Sequence, residues 1–346
     1  MRRIDSHEEH RYAIATNSHL QVVMRIGLLG RGLAAAWKAG SAPTALALIV
    51  GGGSVALPAA VRADEPLFGY TYTTDLLPRG KWELEQWATT GLGQSRGDYK
   101  LLGLREEVEY GLTNNFQVAL YANWFHVSAN RNGVEGATGG PGVPESADPA
   151  RPYSSTRFDS VSFESIWRLL SPYKDPIGLA LYLEPTIGPG VKELEGKLIL
   201  QKNFMDDRLV WAANLTVEPE WERQPGNPFV DPFDPEFHSR LEKATVLEFT
   251  TGLSYRFAPS WFAGLEFRNH NEFSGIGFAH PEHSAFFLGP NVHYAAERFW
   301  ATLAVLPQLP FARAYNEAQR AVRVGGRIFG NEHPGLEIRL RVGWVF

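Results

Sequence analysis

From residue 82 to the end, apolar and polar positions alternate in segments of about ten residues, the period-two signature of strands with two unlike faces. The last segment is the clearest. Ile338, Leu340, Val342, Trp344 and Phe346 share one face, and Glu337, Arg339 and Arg341 share the other. Residues 104–110 set Leu104, Val108 and Tyr110 against Arg105, Glu107 and Glu109, with Glu106 breaking the apolar side. Residues 116–124, 209–218, 247–257 and 261–268 repeat the pattern. Weaker copies run at 82–90, 157–169, 177–187, 194–204, 284–294 and 299–307, which makes twelve candidate strands. Ten or fourteen stay open, because the stretches near 188–204 and 311–334 are ambiguous.

The connections sort by parity. Even-numbered strands end in short, turn-forming segments such as Gly111–Asn115, Ser171–Pro176, Met205–Asp207 and Ala258–Ser260. Odd-numbered strands lead into longer ones at 91–103, 127–156, 219–241, 269–283 and 308–335, with 188–193 the short exception. Aromatic residues gather near the short-turn ends, among them Trp82, Tyr110, Trp167, Phe257, Trp261, Tyr294, Phe299 and Trp344. A soluble sandwich has no reason for either sorting. A transmembrane β-barrel has both, with short periplasmic turns, long extracellular loops and aromatic girdles at the membrane surfaces. The predicted fold is therefore an all-β antiparallel barrel of about twelve strands over 82–346, with both ends of the mature chain in the periplasm.

The N-terminus reads differently. Arg25, Arg31 and Lys38 form a basic region, followed by an apolar stretch from Ala42 to Val61 and by Val61-Arg62-Ala63, with small residues at the −3 and −1 positions. This is the pattern of a secretory signal cleaved after Ala63. Pro43, Pro58 and Gly51–Gly53 disfavour a membrane anchor there. Met24 is an alternative start to Met1. Removing residues 1–63 takes away seven basic and three acidic residues, so the net charge moves from −5 to −9 over the remaining 283 residues. The chain has no cysteine, which excludes disulfides and thiolate chemistry. The absence of a basic excess argues against nucleic acid as a partner.

The final Phe346, with apolar residues at every second position before it, matches the terminal signal that the outer-membrane assembly machinery reads. Phe68-Gly-Tyr-Thr-Tyr72, Lys81–Trp87 and Arg105–Val118 carry a broader likeness. In these stretches the chain resembles an uncharacterised family of Gram-negative outer-membrane barrels, a domain of unknown function. The resemblance covers most of 66–346 and implies the same fold and location, with outer-membrane lipid and lipopolysaccharide as surroundings. It assigns no catalytic residue.

Parity points eleven carboxylates into the lumen: Glu83, Glu85, Glu107, Glu109, Glu164, Glu184, Glu195, Glu218, Glu248, Glu266 and Glu337. Seven basic residues join them: Arg105, Arg168, Lys197, Arg256, Arg268, Arg339 and Arg341. An acidic aqueous pore that passes small solutes with a mild cation preference is one reading. A closed lattice of ion pairs that braces the wall, with 127–156, 219–241 and 308–335 as recognition loops, is the other. Residues 64–81 precede the first strand and are predicted as a lumen plug or a periplasmic leader.

Two further groups invite chemistry. His126 and Ser128 share a strand face toward the outer leaflet, and a base two residues from a hydroxyl resembles the His-x-Ser of outer-membrane lipid hydrolases. Those continue with Asn directly, whereas here Ala129 intervenes and no carboxylate is placed to orient the His. His270, His280, Glu282 and His283 could offer metal ligands, but without helical spacing and with Pro281 among them they read as solvated loop residues. There is no phosphate-binding Gly-rich loop. The chain is therefore expected to need no cofactor or metal and to carry no catalytic residues.

Overall fold

A computed structural model describes residues 66–330 and 333–346. The expected signal sequence and both candidate starts lie outside these residues. Twelve long strands run in chain order: β1 (Trp82–Leu92), β2 (Asp98–Thr113), β3 (Phe116–Asn130), β4 (Tyr153–Leu170), β5 (Gly178–Ile187), β6 (Val191–Phe204), β7 (Leu209–Gln224), β8 (Arg240–Ala258), β9 (Trp261–Ser274), β10 (Pro281–Ala295), β11 (Phe299–Pro307) and β12 (Leu336–Val345). Each pairs antiparallel with the next, and β12 pairs with both β11 and β1, so the sheet closes on itself. Closure leaves no strand edge without a partner, which is the condition for a sheet to cross lipid.

The alternation read from sequence is the alternation of the wall. Leu84, Leu120, Trp167, Leu183, Leu215, Leu265 and Leu340 are exposed on the outside. Glu83, Glu107, Glu164, Glu184 and Arg341 are buried on the inside. An outer face this apolar would be costly in water and is stable in hydrocarbon. Cross-strand aromatic pairs mark the turn end: Trp82 on Tyr110 at 4.4 Å, Trp261 on Tyr294 at 4.8 Å and Phe299 on Trp344 at 5.4 Å. Trp124 on Phe158 at 5.1 Å lies on the loop side. Rings paired at both rims match the two aromatic girdles of a membrane-spanning barrel.

The strands are longer than the sequence reading made them, and this corrects the loop assignment. β2 begins at Asp98, so 91–103 is a five-residue connection and not a long loop. Residues 219–224 continue β7, and 269–274 continue β9. Polar alternating residues above the membrane keep pairing, and a hydropathy pattern cannot tell such strand extensions from loops. The long loops that remain are 131–152, 225–239 and 308–335.

Two of these loops turn back onto the barrel. Val143, on the first, packs with Tyr99, Phe125 and Val127, and Arg240 holds its Glu145 with two bonds of 3.0 and 2.9 Å. The last loop carries a short helix (Glu317–Val322) and buries Ile328 and Phe329. Gln308 ties it down by donating to the Ile328 carbonyl at 2.8 Å and accepting from the Ile328 amide at 2.6 Å.

Candidate functional site

Residues 66–78 cross the lumen in the half nearer the short turns. The segment is non-repetitive in conformation and pairs with no strand, so its backbone polar groups need other partners. Barrel side chains supply them. Glu266 on β9 accepts from the backbone N–H groups of Gly69, Tyr70 and Thr71 at 3.0, 2.7 and 2.5 Å. Asn214 on β7 both accepts from the Tyr72 amide at 2.6 Å and donates to its carbonyl at 2.9 Å, as a neighbouring strand would. Gln201 on β6 accepts from the Thr74 amide at 2.7 Å, and Gln117 on β3 accepts from the Leu77 amide at 2.8 Å. Apolar contacts flank this line. Phe68 sits with Val210, Ala212 and Phe262 at one wall, and Leu76 with Ile166, Ala180 and Ile199 at the other.

Above the segment lies a cavity of ≈ 440 Å³. Tyr70 and Tyr72 form its floor. Its charge is divided across the barrel. Arg105 on β2, Arg268 on β9 and Arg339 on β12 line one side, and Glu193 and Glu195 on β6 with Glu218 and Glu220 on β7 line the other. Asp159, Lys197 and Glu248 complete the charged lining, and the His270 imidazole lies beside them. Walls of opposite sign facing each other across a low-dielectric shell set up a transverse field in the space between them.

The inward residues read from sequence fall into distinct settings. Arg268 bridges Glu248 at 2.7 Å and both oxygens of Glu337 at 3.0 Å. Arg341 bonds Glu85 at 2.9 Å and lies 3.7 Å from the centre of the Trp87 ring. Arg105 stands 3.8 Å from Glu184 and packs over Tyr121 and Trp87. Arg339 stacks on Tyr70 at 3.8 Å and donates to the Gly69 carbonyl at 3.2 Å. Glu164 accepts from the Tyr121 hydroxyl, and Glu184 from the Tyr182 hydroxyl. Arg256 is half-buried at the short-turn end of β8. Glu107 and Glu109 lie with Glu85 in a tight carboxylate group.

Sequence reasoning missed the amides. Asn214, Gln201 and Gln117 hold residues 66–78, yet as inward polar residues among many they carried no sign of it. The one available signal was their setting. Each is an uncharged amide on a wall otherwise rich in ions, and an amide offers the donor and acceptor pair that a peptide needs.

The histidines depart from expectation. His270 lies on β9 and His283 on β10, both inside the barrel, and only His280 is exposed. Their rings stack at 6.0 Å, and His333 from the last loop sits edge-on to both at 4.9 and 5.1 Å. Glu248 and Glu272 flank them at 3.2 and 3.1 Å. The strands extend past the membrane, which is why these residues are wall and not solvated loop.

His126 points outward and its Nδ1 bonds the Thr156 hydroxyl at 2.8 Å, across β3 and β4. Ser128 lies opposite Ser154. The pairing a hydrolase needs, His to Ser, is replaced here by a cross-strand contact. At the C-terminus, Ile338, Leu340, Val342, Trp344 and Phe346 form the outer face beside the seam with β1, and the Phe346 amide donates to the Trp82 carbonyl at 2.8 Å.

No curated protein matches the chain in sequence. Among solved structures, the NanC porin aligns with 10% identity over 76% of this chain and 98% of its own, at a TM-score of 0.43. The COG4313 outer membrane channel from Pseudomonas putida F1 aligns with 11% identity over 79% and 98%, at 0.48. The β-domain of the Bordetella autotransporter BrkA aligns with 12% identity over 78% and 100%, at 0.45. A family model spans residues 60–345, nearly the whole barrel and the segment that enters it. The chain is a closed, twelve-stranded antiparallel β-barrel and belongs to a family of unknown function, DUF6662.

Proposed function

We propose that the protein is a passive channel for small solutes with a mild preference for cations, closed in the described state by residues 66–78. The observation that carries this reading is how the segment is held. Barrel side chains grip its backbone one peptide at a time, with no ladder to any strand. A ladder would have to be stripped along its length, whereas side-chain clasps release by rotation. The cavity above supplies the polar path, and its lining carries six carboxylates against four basic groups. An acidic excess of this kind favours cations. No step in this function needs a cofactor or covalent chemistry.

Planar-bilayer recording of the purified protein under a salt gradient tests the reading. Expected are infrequent openings in the wild type, sustained current after deletion of 66–78, and a reversal potential on the cation side. A barrel that is folded yet silent in both forms would instead support the closed, braced reading. The loop at 131–152, clamped by Arg240 and Glu145, would then be the place to seek a partner.

A further inference from the structure

The inner faces of β1 and β2 carry a feature that the channel reading does not use. Between the Trp82–Tyr110 girdle pair and Arg105, every inward position on the two strands is glutamate: Glu83, Glu85, Glu107 and Glu109. Glu83 lies directly opposite Glu109, and Glu85 opposite Glu107. All four are buried, at 1–5% exposure. Like charges directly opposite on antiparallel strands repel, and burial strengthens the repulsion.

Three of the four converge. One carboxylate oxygen each from Glu85, Glu107 and Glu109 lies within 4.8 Å of the other two. The outer members have hydrogen-bond donors elsewhere. Glu85 accepts from Trp87 Nε1 at 2.6 Å and from Arg341 at 2.9 Å, and Glu109 accepts from Gln117 at 2.6 Å. Glu107, in the middle and 1% exposed, has no donor on either oxygen. A buried carboxylate with both oxygens unpartnered is costly, since it loses its hydration and gains nothing back. The Arg341 charge is engaged by Glu85 and leaves the group with a large negative excess.

We propose that Glu85, Glu107 and Glu109 bind a hard divalent cation of the calcium or magnesium class, with Glu107 as the central ligand. The donor set is all oxygen, without sulfur or imidazole, which suits these ions and not zinc or copper. Glu107 offers two free oxygens for bidentate ligation, and the clasps from Trp87, Arg341 and Gln117 orient the flanking carboxylates. The bound ion neutralises the repulsion across the β1–β2 pair. This inference stands apart from the channel reading, because it concerns the wall beside residues 66–78 and needs no conduction.

The full-length protein, purified from outer membranes and stripped with EDTA, is the material for the test. Equilibrium dialysis with calcium chloride, and separately magnesium chloride, is expected to give one ion per chain. Terbium in place of calcium adds an independent readout, because Trp87 touches Glu85 and can sensitise its luminescence. Glu107→Gln is expected to weaken binding by at least about tenfold and to remove the sensitised signal. Glu109→Gln serves as the second variant, and the heat-modified gel shift of a folded barrel verifies that each variant has assembled. Two outcomes overturn the proposal. In one, the stripped wild type takes up neither ion at millimolar concentration, so the group holds shared protons instead. In the other, binding survives Glu107→Gln and disappears with Glu218→Gln, which places the ion at the cavity's own carboxylates. Neither outcome bears on whether the barrel conducts.

Discussion

Glu266→Gln isolates the grip on the lumen segment. The carboxylate now accepts three backbone N–H groups, Tyr70 and Thr71 on one oxygen and Gly69 on the other. Hydrogen bonds to a charged group are worth about 1.5–3 kcal/mol each, so the three together hold the segment by about 5 kcal/mol after allowing for non-additivity. Glutamine keeps one acceptor oxygen, which retains two neutral bonds of about 1 kcal/mol each. Its NH2 group then faces the Gly69 amide, donor against donor. The net loss is about 3 kcal/mol, or roughly a hundredfold in the ratio of closed to open. The lumen contacts of Phe68 and Leu77 are untouched, so the barrel itself should assemble. The assay is single-channel recording of wild type and variant at matched protein density, with the heat-modified gel shift as the folding control. The expected result is a rise in open probability of about two orders of magnitude, up to saturation. Equal open probability in a folded Glu266→Gln barrel, and again in Glu266→Gln with Asn214→Leu, would refute the gating argument.

Further outcomes follow from the same geometry and from the sequence. Thr74→Cys with Gly178→Cys should form a disulfide, because a Cβ built at Gly178 meets the Thr74 hydroxyl and the chain has no competing cysteine. Oxidation should then silence the channel and reduction restore it. Glu193→Gln with Glu218→Gln removes two of the cavity's acidic residues and should move the reversal potential toward the anion side, and an unchanged potential would place selectivity elsewhere. His333 lies outside the strands, and burial together with the neighbouring His270, His283 and Arg268 holds its imidazole well below the ordinary value of 6.5. The docked loop therefore binds fewer protons than the released one, so docking is at full strength above about pH 6.5 and weakens as pH falls below it. Limited proteolysis of 308–335 should show this acid sensitivity, and His333→Phe should flatten it. Finally, the mature protein should begin at Asp64 by N-terminal sequencing, and Phe346→Ala should lower the amount assembled in the outer membrane if the last strand carries the assembly signal.

The wall was legible because lipid makes its demand residue by residue. Leu340 and Trp344 face out and Arg339 and Arg341 face in for a reason that acts on every strand equally, so a period of two survives in the sequence. Strand ends were less legible. His270 and Glu272 continue β9 above the hydrocarbon, where neither face has to be apolar, and the pattern fades while the pairing does not. For residues 66–78 the sequence left two readings open, a lumen plug or a periplasmic leader, and the path and partners of the segment were not legible. Its partners Glu266, Asn214, Gln201 and Gln117 lie on four strands between 40 and 197 residues away. Only the closed barrel brings them into one line.

The lumen carboxylates show why parity predicts position and not role. Glu248, Glu266 and Glu107 all face inward from strands of the same kind, and nothing local distinguishes them. Glu248 meets a guanidinium and braces the wall. Glu266 meets three peptide N–H groups and holds a segment of chain that belongs to no strand. Glu107 meets other carboxylates. The partner decides the role, and the partner is set by ring closure. The Glu85–Arg341 contact spans 256 residues of sequence and exists because β12 returns to β1. In such a barrel the outer face is written strand by strand, while the chemistry inside is written across the diameter. A carboxylate lacking a partner on that diameter is therefore the informative one, since ordinary bracing leaves its charge unexplained.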